Sequence, residues 1–269
     1  MKNCYASTLG GCSGGITGEH YISRSVLKLI SHDDAHPGIA VVSGPRWKNK
    51  ALPIASLVAN ILCRAHNEGL SLLDSTAKTF LEAMQQIHSN AKSHARVTLS
   101  LTGDHFERWL LKVLCGFMAS GNSFSIQRQS LPQQPSQQFV RYLFGEDPLP
   151  DGFGFYLLPE PPTPHTRDFG FVALSRNGEH TGFMMSIANL QFFLAMKDPG
   201  PTPDGLLKKS FYRPRFIKIA NTLNGNECQI NLHWDRPLSD LGVSLCFSPP
   251  AHEGGTAQWS SFTPHDGPA

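Results

Sequence analysis

Two short segments far apart in this chain carry the halves of one metal knuckle, and joining them constrains the fold more than any other feature. Cys4 and Cys12 form the first half; Cys63 and His66, in the run Cys63-Arg64-Ala65-His66, form the second. Thiolates and imidazoles close tetrahedral Zn²⁺ sites that staple small modules together. The turn Leu9-Gly10-Gly11-Cys12-Ser13-Gly14-Gly15 supplies glycines that let the backbone wrap tightly around an ion. The alternative is a set of buried thiols beside an unrelated histidine. A second set of groups is interleaved with the first. Glu19-His20 follows Cys12, and Asn67 follows His66 directly. A carboxylate and an amide oxygen are hard donors suited to Mg²⁺ or a similar ion. A neutral imidazole accepts a proton from water near pH 7. A closed metal site beside a carboxylate, a histidine and an amide is the layout of a hydrolase.

The bulk composition allows this layout. With 269 residues the chain has room for one large domain or two smaller ones. A hydrophobic share of 40% and a charged share of 16% are those of a folded globular protein. A formal charge of +2 is too small to imply a polyanionic partner, so nucleic-acid binding must use a local patch. Six cysteines do not read as a disulfide framework in a chain of this length. Three belong to the knuckle, and Cys115, Cys228 and Cys246 lie in apolar runs that suggest core positions. The first residues show no apolar signal segment, and no run approaches a membrane span. The expectation is a reducing cytoplasm and no membrane association.

Patterning along the chain predicts an α+β protein. Ile16 to Ile22 reads as a strand carrying Glu19-His20, and Ser23 to Ile30 as a short helix. Ile39 to Val42 is strand-like, and Arg46, Lys48 and Lys50 surround Trp47 in a basic loop. Leu57 to Leu62 leads into Cys63, and the chain from Arg64 to Leu73 reads as helix. Asp74 or Ser75 is expected to cap a further helix whose apolar face carries Phe80, Met84 and Ile87. The polar stretch 88–96 separates an N-terminal module, 1–90, from a second domain, 97–247. There, Val97 to Leu101 reads as strand, and Asp104 with Glu107 has capping-box spacing. Phe106, Trp109, Leu110, Val113, Leu114 and Phe117 recur at helical intervals in a long amphipathic helix. A glutamine-rich polar loop is expected over 128–138 and a strand over Phe153 to Leu158. Phe169 to Ser175 and His180 to Ile187 flank Asn177-Gly178, which predicts a tight β-hairpin. Phe216 to Ala220 and Cys228 to Trp234 read as strands, and 248–269 as a disordered tail.

At Gly18-Glu19-His20-Tyr21-Ile22-Ser23 and Ile61-Leu62-Cys63-Arg64-Ala65-His66-Asn67-Glu68-Gly69-Leu70 the sequence resembles the HNH endonuclease family, over roughly residues 1–75. The resemblance implies a zinc-stapled ββα-metal module followed by an α+β domain. It implies metal-dependent hydrolysis of phosphodiester bonds, with DNA as the partner. His20 would be the general base. Glu19 and Asn67 would hold a catalytic Mg²⁺ or Mn²⁺, and Asn60 would orient the base. Arg24, Arg46, Lys48 and Lys50 are candidates for phosphate contacts. The second domain carries no recognised motif; target recognition, a homodimer contact and a protein partner all fit it. The rival reading is a non-catalytic zinc-binding module for nucleic-acid or protein interaction.

Overall fold

A computed structural model describes residues 3–31, 38–41, 50–88, 94–120, 134–158, 169–176, 179–188, 190–197, 210–222, 224–236, 241–248 and 258–265. Their architecture is mixed α+β. In chain order come β1 (Ile16–His20), α1 (Arg24–Ile30), β2 (Gly38–Val41), β3 (Lys50–Pro53), β4 (Val58–Cys63), α2 (Arg64–Gly69) and α3 (Ser71–His88). Then follow β5 (Arg96–Thr102), α4 (Gly103–Ala119), α5 (Gln137–Phe144), β6 (Gly154–Leu158), β7 (Phe169–Arg176), β8 (Glu179–Ile187) and β9 (Leu190–Ala195). The last strands are β10 (Phe211–Tyr212), β11 (Phe216–Asn221), β12 (Glu227–His233), β13 (Gly242–Ser248) and β14 (Gln258–His265).

The chain forms two compact units that are interleaved in sequence rather than consecutive. The first comprises 1–78, 108–149 and 173–181; the second comprises 79–107, 150–172 and 182–269. The expected division at 88–96 therefore gives way to boundaries inside α3 and α4, each of which contributes residues to both units. A polar linker is a weak boundary signal when the helices flanking it each carry two buried ends.

In the first unit, β1 runs antiparallel to β4, with Ile16 opposite Cys63, Glu19 opposite Ala59 and His20 opposite Val58. The register shifts between Thr17 and Glu19. Gly18 lies in that bulge, where an added Cβ would come within 2.9 Å of Val58 Cγ1. Bulges re-aim the side chains that follow them, and here those are Glu19 and His20. α2 follows β4 without a break, and the chain turns at buried Leu70 before α3 begins. The continuous helix expected from Arg64 to Leu73 is thus two helices. The core collects Val26 and Leu27, Leu73 and Ala77, and Phe139, Val140 and Leu143 from α1, α3 and α5. α4 adds Trp109, Leu110, Val113 and Leu114, all fully buried at the spacing that predicted the helix. Gly116 lets α4 approach the chain beside the site, since a Cβ there would fall 2.3 Å from Tyr21 Cβ.

The second unit contains the order β14-β13-β11-β12-β5, with β11–β13 and β12–β5 parallel and the remaining pairs antiparallel. Alternation in β11 and β12 buries one face, as the strand patterns predicted. β10-β6-β9-β8-β7 form the other five-stranded sheet. The β7 and β8 neighbours match the expected hairpin; its turn, Asn177-Gly178, lies outside the described residues. Phe80, Phe106, Phe155 and Phe192 form one aromatic cluster, with ring centroids 4.6 to 5.9 Å apart. The last carbonyls of α3 are satisfied by side chains around the β11–β12 turn. Asn221 and Asn224 donate to Ile87 O at 2.9 and 3.1 Å, and Asn226 donates to Gln86 O at 3.2 Å.

Four further expectations are corrected. Glu107 does not close a capping box: buried in the second unit, it holds Arg213 at 2.8 and 2.9 Å and accepts from Phe155 N at 2.7 Å. Neither Asp74 nor Ser75 caps a helix, because both lie within the first turns of α3. Of the polar loop expected over 128–138, residues 128–133 lie outside the described residues, and Gln137 and Gln138 instead open α5, capped by Ser136, whose side chain accepts from Phe139 N at 3.2 Å. The tail expected to be disordered contains β14, paired with β13 from Gln258 to His265. Among the described residues, no helix is long and apolar enough to cross a membrane.

Candidate metal centre and the cluster beside it

The two half-knuckles meet. One ligand atom each from Cys4, Cys12, Cys63 and His66 lies within 4.8 Å of every other, a group that can hold a metal ion. Nδ1 of His66 faces all three sulfurs, at 3.4 Å from Cys4, 3.6 Å from Cys12 and 3.2 Å from Cys63. The backbone brings the distant segments together. Tyr5 N donates to Ile61 O at 3.0 Å, Arg64 N to Gly15 O at 2.9 Å and Ala65 N to Ser13 O at 3.4 Å. Gly10, Gly11, Gly14 and Gly15 all take positive φ, as the tight wrap requires. The ring of His66 rests edge-on against Phe144 of α5, with centroids 5.2 Å apart. Burial works to raise the Cys63 thiol, but hydrogen bonds from the backbone at His66 and Ser13 and from the His66 ring outweigh it, giving about 6. Burial pushes Cys4 up to about 11. These opposed thiols belong to a site whose ligands become thiolates together when an ion binds.

Glu19 lies beside this centre, almost fully buried. Its Oε1 is 2.6 Å from the Nζ of Lys112, a residue of α4 that is itself 1% exposed. Lys112 Nζ also donates to both carboxylate oxygens of Asp74, at 2.7 Å each. The ammonium thus bridges two carboxylates, with hydrogen bonds to both oxygens of Asp74 and a close ion pair to Oε1 of Glu19. Ser23 donates to Asp74 Oδ1, and the indole of Trp109 donates to Ser23 Oγ at 3.0 Å. Burial raises the Glu19 carboxyl above its ordinary value, and Lys112 and the Asn67 amide act against that shift.

The Asn67 amide thus acts on the Glu19 carboxyl. The same amide also donates to Thr17 Oγ1 at 3.1 Å, and Thr17 donates to Leu62 O at 3.3 Å, so the amide is held by β1. His20 ends β1. Its Nε2 is buried with no hydrogen-bond partner among the described residues. Burial lowers its pKa, and the charges of Arg24 and Lys112 lower it further. The ring is thus neutral near pH 7. Asn60 is exposed and sits beside Gly18, while His20 faces Val58 across the strands, so Asn60 is not brought to the base. Arg24 is exposed at the start of α1. Arg46, Lys48 and the side chain of Lys50 lie outside the described residues.

Lys112 and Asp74 were missed in the sequence. Asp74 read as a cap, and Lys112 was given no role. The one signal was its position: flanked by Leu111 and Val113, Lys112 is a lysine in a solidly apolar run. Comparisons with protein-family models, with curated proteins and with solved structures find no match to this chain.

Proposed function

We propose that the first unit is a zinc-stapled module of HNH type that hydrolyses phosphodiester bonds in nucleic acid, DNA being the expected substrate. The observation that carries this reading is the Asn67 amide acting on the Glu19 carboxyl, with a four-ligand centre in the same unit and Nε2 of His20 left without a hydrogen-bond partner among the described residues. Zinc suits the knuckle. A tetrahedral ion about 2.0 Å from nitrogen and 2.3 Å from sulfur separates the two by about 3.5 Å, and the His66 to sulfur distances run from 3.2 to 3.6 Å. For Mg²⁺ or Mn²⁺ the donors fit as well, a carboxylate at Glu19 and an amide at Asn67 that acts on it, both able to offer hard oxygens. A divalent ion bound there supplies charge stabilisation at a scissile phosphate.

The residues of the chain divide the remaining work. His20 takes the proton of the attacking water as the new P–O bond forms and the leaving oxygen departs with its electron pair. Burial, helped by the charges of Arg24 and Lys112, keeps its imidazole neutral and ready to accept. Thr17 fixes the Asn67 amide, and Arg24 offers a phosphate contact from the rim. The second reading, a non-catalytic zinc-binding interaction module, draws on one observation: the Glu19 carboxylate is already neutralised by Lys112. Plasmid cleavage in Mg²⁺ or Mn²⁺, comparing the unaltered chain with His20→Ala, separates the two. Cleavage that His20→Ala abolishes supports the nuclease; no cleavage with any divalent ion favours the interaction module.

A further inference from the structure

We infer that Lys112 is a built-in competitor for the catalytic cation: its ammonium shares Glu19 with the divalent ion, and Asp74 is where it is held when the ion binds. This rests on the proposed divalent site at Glu19 and Asn67, and adds to it a residue that sets metal affinity. Three facts carry it. The Lys112 ammonium lies 2.6 Å from Glu19 Oε1, where a cation would bind that oxygen. The same ammonium is also hydrogen-bonded to Asp74, by two contacts of 2.7 Å, so it retains a partner when Glu19 turns to another cation. Asp74 is itself fixed by Ser23, and Ser23 by Trp109, so this holding point is rigid.

Charge decides the consequence. Glu19 and Asp74 carry two negative charges and Lys112 one positive charge, leaving the cluster at a net of about −1. A divalent ion approaching Glu19 is repelled by the ammonium, and it must displace the lysine's ion pair before gaining the carboxylate. The lysine thus weakens metal binding while sparing the buried carboxylates an uncompensated charge. Lys112 is a positioning residue in this scheme and touches neither water nor phosphate.

The test is Mn²⁺ binding to zinc-loaded protein without nucleic acid, read from the electron paramagnetic resonance of free Mn²⁺. Lys112→Met should bind Mn²⁺ at least tenfold more tightly than the unaltered chain, and adding Glu19→Gln should abolish the gain. Lys112→Met leaves two carboxylates facing each other and can fail to fold. Asp74→Asn with Lys112→Met removes one charge of each sign and should show the same tenfold tightening. Equal or weaker Mn²⁺ binding in whichever of these folds overturns the inference. A charge-balanced double variant that does not fold also overturns it, because the lysine's role is then structural. The proposed nuclease reaction stands or falls separately. Cleavage by the unaltered chain with no tightening in the variants refutes the competitor and keeps the nuclease; tightening without cleavage does the reverse.

Discussion

Removing the knuckle metal should release residues 4 to 15 from the first unit while the rest stays folded. The sizes of the local terms decide this. Three backbone hydrogen bonds tie the segment down, Tyr5 to Ile61, Arg64 to Gly15 and Ala65 to Ser13, and at about 1 kcal/mol net each they contribute roughly 3 kcal/mol. Burial of the Tyr5 ring adds about 2 kcal/mol. Against this, holding twelve residues in one conformation costs roughly 12 kcal/mol at the low end of the range per residue. A structural zinc, worth about 10 kcal/mol or more, closes the gap; without it the segment is not held. His66→Ala, or a strong chelator, should therefore abolish hydrogen-exchange protection at Tyr5, Arg64 and Ala65. Amides of β5, β11 and β12 should keep theirs, since their ladders lie in the second unit. Unchanged protection at Tyr5 and Arg64 in metal-free protein would refute the reasoning, as would a global loss that spares no strand.

Other expectations follow from single contacts. His20→Ala should lower cleavage by about 10²- to 10⁴-fold with zinc content unchanged by elemental analysis; a matching loss of zinc would place His20 in the staple instead. Asn67→Ala should lose activity that excess Mn²⁺ partly restores, whereas its neighbour His66→Ala should lose zinc; equal zinc loss in both variants would undo the interleaved arrangement. Glu107→Ala strands the buried guanidinium of Arg213 and should cost about 3–5 kcal/mol in urea unfolding; a loss below 1 kcal/mol would show that the pair is not buried in solution. Hydrogen bonds from Arg141 and Gln138 hold Asp147 down at about 2, so Arg141→Gln should move its NMR titration up toward an ordinary aspartate near 3.9. The sign follows: this pair favours the folded state above the unfolded value and loses that effect as pH falls through about 2. A titration that does not move on Arg141→Gln would mean the pair does not form.

Local signals were legible where one segment decides the outcome. The α4 periodicity, the strand alternation at β11 and β12, and the Cys and His spacing are each read within a few residues, and the folded chain places them as expected. What could not be read depends on partners from elsewhere in the chain. Glu107 and Asp104 have capping-box spacing, but Arg213, more than a hundred residues on, takes the Glu107 carboxylate into the core. Glycine and proline composition suggested a frayed end, yet β13 offers an edge on which Gln258 to His265 form a ladder. The unit boundaries were hidden for a related reason: a helix that is apolar along its whole length gives no sign that its two ends serve different cores.

The candidate site joins both kinds of information, and that bears on how it works. The knuckle residues lie in two local motifs, so their chemistry is written in the sequence. The cation against Glu19 comes from α4, and its counter-charge from α3, so the electrostatics of the site are written only in the packing. Gly18 and Gly116 connect the two levels. The first lies in the bulge that precedes Glu19 and His20, and the second lets α4 come close beside Tyr21, on the helix that carries Lys112. A methyl group at position 18 would meet the Val58 side chain at 2.9 Å, and one at position 116 would meet Tyr21 Cβ at 2.3 Å and its Cα at 3.0 Å, so the second substitution must shift backbone. At position 116 that shift moves the ammonium away from Glu19 without touching any proposed ligand. The strength of the proposed divalent site would therefore depend on how closely a helix packs, as much as on which donors the site contains.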